Sequence, residues 1–286
     1  MPEWITIADG PAGPGATGRV RVDRRSAQNA EGRAPIVLIG GMTQTLSSWG
    51  GQIRPLSERR VALAYEARGQ GTTELSLEDC SLAQQVADFA ALHEALELGV
   101  PVDLCGFSFG GRLALAIAAE HPQLIHRLVL SGVAFDRGLI GRLIVRGWLA
   151  ALATGDLEAL ARVSLPDILG PRYLEANAAL IEPMVKATVE RNRHAGVLAM
   201  MRATLDLPEG SPWGAPALAE RVRAHGLQTL CVGGALDRLA QPADVIALAD
   251  ALGGPHVIID GVGHTVAIEA PQLWREHALA FLDQPA

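Results

Sequence analysis

Residues 102–111 read Val-Asp-Leu-Cys-Gly-Phe-Ser-Phe-Gly-Gly, which sets Ser108 between Gly106 and Gly110 in the pattern G-x-S-x-G. An apolar run precedes the pattern and an apolar helical run follows it, the context in which such a serine is lifted out as a nucleophile. Small residues two before and two after let strand and helix approach closely while Ser108 takes a strained backbone. The N-terminus of the following helix then offers N–H groups to developing negative charge. A serine hydroxyl needs a base. Among eight histidines, His264 stands apart in Asp260-Gly261-Val262-Gly263-His264, a glycine-flanked loop directly after an apolar strand-like run. The other seven fall in or beside helices, at strand starts, or in the irregular middle of the chain. The base needs an orienting carboxylate. Asp237 follows the run Thr229–Val232 through Gly233-Gly234-Ala235-Leu236, which puts it at the same edge as Ser108 and His264. Asp136, after Leu128–Leu130, is the rival acid, and Asp244 lies inside the next helical pattern.

These positions require a particular scaffold. Short apolar runs at Ile36–Ile39, Val61–Ala64, Val102–Cys105, Leu128–Leu130, Thr229–Val232 and His256–Ile259 read as strands covered on both faces. Helical patterns fall between them, at Leu82–Leu98, Gly110–Glu120, Pro242–Leu252 and Pro271–Leu282. The alternation predicts an α/β fold: a mostly parallel central sheet flanked by helices. Residues 8–18, rich in Gly and Pro, read as a loop, and Val20–Val22 as part of an early edge strand. From about Asp136 to Arg223 the rhythm breaks into helical stretches with no strand, and Asp156 is an N-cap candidate before Leu157–Val163. The expected organisation is a core of residues 1–135 and 224–286, with 136–223 as a helical cap inserted before the penultimate core strand.

Composition narrows the function classes. A 49% hydrophobic, 19% charged chain of 286 residues can bury a sizeable core. Its net charge of −7 and scattered arginines argue against a nucleic-acid partner. Three cysteines, Cys80, Cys105 and Cys231, do not make a disulfide framework. No basic leader with an apolar run opens the chain and no stretch approaches a membrane span, so a cytoplasmic protein with no membrane contact is expected. No clustered ligand pattern or Walker lysine appears, so no metal or cofactor is expected.

With these residues in hand, the sequence resembles the α/β-hydrolase superfamily, in its branch of small cap-bearing esterases and C–C hydrolases. The matching pieces are Val37–Met42, Arg68-Gly69-Gln70-Gly71, Gly106–Gly111, Gly234–Asp237 and Gly263-His264 with Glu269-Ala270-Pro271. The order Ser108, Asp237, His264 is the order of that fold. The resemblance implies an oxyanion hole built from the backbone N–H groups of Met42 and Phe109. Two departures stand out: Gly40-Gly41 replaces the usual His-Gly, and Gln70 replaces the histidine of Arg-Gly-His-Gly, in a segment expected to be structural.

The expected activity is hydrolysis of an ester, thioester or lactone of a small to medium apolar small-molecule substrate through an acyl-enzyme. The same triad could instead serve C–C bond hydrolysis, acyl transfer or elimination of a small acid, and a slow-turnover ligand-binding receptor is a further alternative. Leu139, Ile140, Leu143, Trp148, Leu149, Met184, Val197, Met200 and Met201 either line a pocket or pack the cap on itself and the sheet.

Overall fold

The structure, a computed structural model, describes residues 2–26, 32–205, 207, 208 and 210–285. Its strands are β1 (Glu3–Ala8), β2 (Thr17–Arg25), β3 (Ile36–Ile39), β4 (Ala62–Tyr65), β5 (Val102–Phe107), β6 (Ile125–Ser131), β7 (Thr229–Gly234) and β8 (His256–Ile259). They form one sheet in the order β1-β2-β4-β3-β5-β6-β7-β8. The β1–β2 and β2–β4 pairs are antiparallel, and every later pair is parallel. This is the mostly parallel sheet that the alternating pattern predicts. The central strands β3 and β5 are buried along their whole length, which explains why they read as unbroken apolar runs.

The helices are α1 (Gly50–Ser57), α2 (Leu82–Ala95), α3 (Phe109–Glu120), α4 (Leu139–Ala153), α5 (Leu157–Ile168) and α6 (Pro171–Ala176). There follow α7 (Ile181–Arg191), α8 (His194–Leu205), α9 (Ala215–Ala224), α10 (Pro242–Leu252), α11 (Val266–Glu269) and α12 (Pro271–Leu282). One face of the sheet packs on α2, α3, α9 and α10, through side chains such as Phe89, Leu113, Leu218 and Leu248. The other packs on α1 and α12, through Ile53, Leu56, Trp274 and Phe281.

Two elements depart from the sequence reading. Val20–Val22 lies in β2, one strand in from the edge, because the unforeseen β1 pairs outside it. The helix α1 is also unforeseen: it opens on two glycines and contains Pro55, so its propensity is poor. Packing forms it instead. Ile53 and Leu56 are buried, and Gln52 Nε2 donates to the carbonyls of Ala267 and Pro271, each at 3.0 Å.

Between β6 and β7 the chain is helical, α4 to α9. Asp156 caps α5, accepting from the Glu158 N–H at 2.8 Å. Leu152, Leu157, Leu160, Val197 and Met201 form a separate small core, with Met42 packed against it from below. By contrast α9 packs on α3 and α10, so its buried face belongs to the sheet-covering layer although it falls within 136–223.

Candidate active site

The turn from β5 into α3 is held by close contact. A Cβ on Gly106 would come within 2.4 Å of the Gly110 carbonyl oxygen, and one on Gly110 within 2.4 Å of the Ile39 oxygen. Only glycine fits both places. Between them Ser108 takes φ 52°, ψ −115°, a conformation unfavourable for a residue with a side chain. Its N–H is tied to the Ser131 carbonyl at 2.8 Å, and its hydroxyl faces a cavity.

The structure brings the three sequence-derived residues into one chain of hydrogen bonds. His264 Nε2 lies 2.9 Å from Ser108 Oγ, and His264 Nδ1 lies 2.7 Å from Asp237 Oδ2. A carboxylate only accepts, so Nδ1 carries the proton and Nε2 presents its lone pair to the serine hydroxyl. The other Asp237 oxygen accepts from the Leu239 and Ala240 N–H groups at 2.8 and 3.0 Å, which fixes the carboxylate in place. Asp237 and His264 are buried, and the Phe107 ring lies 4.9 Å from the imidazole. Asp136 sits apart at the surface: its side chain is 81% exposed and 3.7 Å from Arg142.

Met42 lies on the loop after β3, and Phe109 is the first residue of α3. Among the described residues neither N–H donates to a protein group, as expected at a helix start and in an unpaired loop. Two glutamines shape the Met42 loop. Gln70 Nε2 donates to the Gly40 and Gly41 carbonyls at 3.0 and 2.7 Å, while its oxygen accepts from the Ala67 N–H at 2.9 Å. Gln44 Oε1 accepts from the Gly41 N–H at 2.9 Å. Sequence reading did not give Gln70 this place beneath the loop.

Glu269 secures the other side. Its carboxylate accepts from the N–H groups of Gly263 at 2.9 Å and Thr265 at 3.1 Å, the neighbours of His264 on either side. It also accepts from the Gly170 N–H at 2.8 Å, so one side chain ties the histidine loop to the helical insertion.

A cavity of about 920 Å³ lies over Ser108 and His264. Met42, Phe109, Val133, Phe135 and Leu207 supply much of its apolar wall. Of the insertion's apolar residues, Trp148 and Met201 reach it. Val197 and Met200 are packed away in cores, and Leu139, Ile140 and Leu143 face solvent. Burial pushes the thiols of Cys80 up to about 11 and Cys231 up to about 12, and all three cysteines are unpaired. Among the described residues no three His, Cys, Asp or Glu side chains form a metal-ligand group, and no helix is long and apolar enough to cross a membrane.

The profile of a known family, described as the alpha/beta hydrolase fold, matches residues 34–271. An uncharacterised protein of Mycobacterium tuberculosis is 31% identical over 149 residues, covering 51% of this chain and 41% of that protein. The chain thus matches less than half the length of that relative. The 2-hydroxymuconate semialdehyde hydrolase of a Pseudomonas species is 28% identical over 249 residues, 82% of each chain. In three dimensions the enol-lactonase of Burkholderia xenovorans LB400 superimposes with a TM-score of 0.80 at 23% identity, covering 93% of this chain and 97% of the other, a likeness of fold.

Proposed function

Because the chain belongs to the alpha/beta hydrolase fold family, we propose that it is a serine hydrolase that cleaves an ester, thioester or lactone through an acyl-enzyme. One observation carries the reading: the unbroken chain Ser108 Oγ, His264 Nε2, His264 Nδ1, Asp237 Oδ2 at the floor of the cavity. In this reading Ser108 Oγ attacks the carbonyl carbon as its proton passes to His264 Nε2. The carbonyl π electrons move onto oxygen, and the Met42 and Phe109 N–H groups hold that oxyanion. Asp237 keeps the imidazole in its productive tautomer and stabilises the imidazolium. Collapse of the intermediate breaks the bond to the leaving alcohol or thiol, which takes the proton from His264. Water then attacks the acyl-enzyme by the same route, its proton going to His264 and on to Ser108 Oγ, and the carboxylic acid leaves.

The volume and largely apolar wall support a small-molecule substrate of small to medium size. Three buried, unpaired cysteines fit a reducing compartment such as the cytoplasm. The test is turnover of p-nitrophenyl esters of graded acyl length. Release of p-nitrophenol with an optimum at an intermediate chain length supports the reading. Absence of turnover across the series counts against it.

A further inference from the structure

Arg112 and Arg137 approach the nucleophile from two different elements. Arg112 lies one turn along α3 from Ser108, its own N–H donating to the Ser108 carbonyl at 2.9 Å. Arg137 lies on the segment after β6, which passes His264 at Gly132, where a Cβ would be 3.1 Å from the imidazole Cε1. Both side chains line the cavity over Ser108.

Their surroundings differ from those of the other enclosed arginines. Arg60 is matched by Asp103 and Asp283, and Arg68 by Asp9 and Asp88. Arg112 and Arg137 form no ion pair among the described residues, and the Nε of each is buried without a hydrogen-bond partner. Arg60 and Arg221 also leave Nε unpaired, yet each holds a carboxylate through its other nitrogens. The one hydrogen bond from the Arg112 guanidinium is a long one, 3.4 Å to the Trp213 carbonyl.

The nearby carboxylates are otherwise engaged. Asp237 spends both oxygens on His264, Leu239 and Ala240, and Asp136 pairs with Arg142 at the rim. Asp244 accepts from the Asp136 backbone. Asp206 and Glu209 lie outside the described residues. Burial, and then the Arg137 charge, push the Arg112 guanidinium down to about 10, and burial likewise lowers Arg137 against the pull of Asp237 and Asp244. The fold also makes room for this arrangement: Arg137 lies across Gly141 of α4, where a Cβ would come within 2.7 Å of its Cγ. Two like charges held together without a partner are costly, and an anion between them removes the cost.

We infer that Arg112 and Arg137 form a carboxylate subsite, so that the substrate is an ester, thioester or lactone one arm of which ends in a carboxylate. The inference rests on the reading of Ser108 as the nucleophile. Guanidinium groups suit a carboxylate because their planar N–H pairs match its two oxygens. The apolar wall takes the chain between that carboxylate and the scissile carbonyl.

The test compares p-nitrophenyl hydrogen adipate with p-nitrophenyl hexanoate, a neutral ester of equal chain length, and measures binding of adipate by Ser108→Ala. Wild type should prefer the acidic ester in kcat/KM by about 10-fold or more, the scale of a charge-assisted pair. Arg112→Met and Arg137→Met should each bring that ratio towards one, with Arg137→Lys retaining part of it. The ratio is read within one protein, so a loss of folded material cancels. Ser108→Ala should bind adipate, and addition of Arg112→Met should abolish the binding. Hydrolysis of the hexanoate with no preference and no adipate binding overturns the subsite and leaves the hydrolase reading standing. Adipate binding that depends on both arginines, with neither ester turned over, keeps the subsite and overturns the hydrolase reading. Inorganic phosphate competing as strongly as adipate overturns the assignment to a carboxylate.

Discussion

Asp237 Oδ2 meets His264 Nδ1 at 2.7 Å, and both side chains are enclosed by protein. The carboxylate is held on its far side by two backbone N–H groups, so it can orient the ring without moving. Asp237→Asn keeps the shape but can present an N–H to Nδ1, which favours the wrong tautomer. It should lower kcat by about 10³–10⁴-fold in a protein that stays folded. Asp136→Asn, at an exposed site, should stay near wild type. Steady-state kinetics of the two variants decide the point, and a crippled Asp136→Asn beside an active Asp237→Asn would reverse the assignment.

Gln70 acts on the oxyanion side through the loop rather than by touching substrate. Its amide clamps the Gly40 and Gly41 carbonyls, which set where the Met42 N–H points. Gln70→Leu should therefore reduce kcat by about 10–10²-fold with little change in KM, somewhat less than the loss of an oxyanion donor itself. Gln70→His keeps an N–H donor and should restore part of the rate. An equal rise in KM at constant kcat would mean that the residue shapes the pocket instead.

Glu269 makes a different prediction. Replacing it with alanine leaves the N–H groups of Gly263, Thr265 and Gly170 without their acceptor, a loss of about 1–3 kcal/mol for a buried donor left unsatisfied. Urea unfolding should show that loss, and kcat should fall as His264 loses its alignment. Unchanged stability together with unchanged kcat would remove Glu269 from the positioning of the base.

The cysteines should be silent. With thiol pKa values pushed up to about 11 for Cys80 and about 12 for Cys231, thiolate is scarce at pH 8 and grows only as the pH climbs towards those values. Iodoacetamide at pH 8 should leave esterase activity intact over hours. Rapid inactivation, protected by substrate, would point to a cysteine in the reaction.

Much of this arrangement can be read from sequence, for identifiable reasons. Ser108 and His264 announce themselves because glycines must stand beside them and because each ends an apolar run. Their elements, β5 and the chain after β8, carry periodicity strong enough to place the residues at one edge. Asp237 is less distinct, since aspartate also ends turns, and Asp136 stays a rival until the register of the loops is known. Gln70 and Gln44 carry no such mark, because a loop glutamine becomes a clamp only when two loops distant in sequence meet. The helix α1 is hidden by its glycines and Pro55, its burial against α12 outweighing its propensity. The strand β1 is short and mostly exposed, so it shows little hydrophobic pattern. Arg112 and Arg137 lie 25 positions apart in the sequence, and only the fold places both on one cavity wall.

The most direct measurement treats the protein with a fluorophosphonate probe and maps the modified residue by peptide mass spectrometry, alongside the kinetics of Ser108→Ala. The probe should occupy Ser108 alone with loss of all activity, and Ser108→Ala should lose about 10⁴-fold or more in kcat. Labelling elsewhere, or an alanine variant that turns over esters near the wild-type rate, would contradict the assignment of Ser108 as the nucleophile.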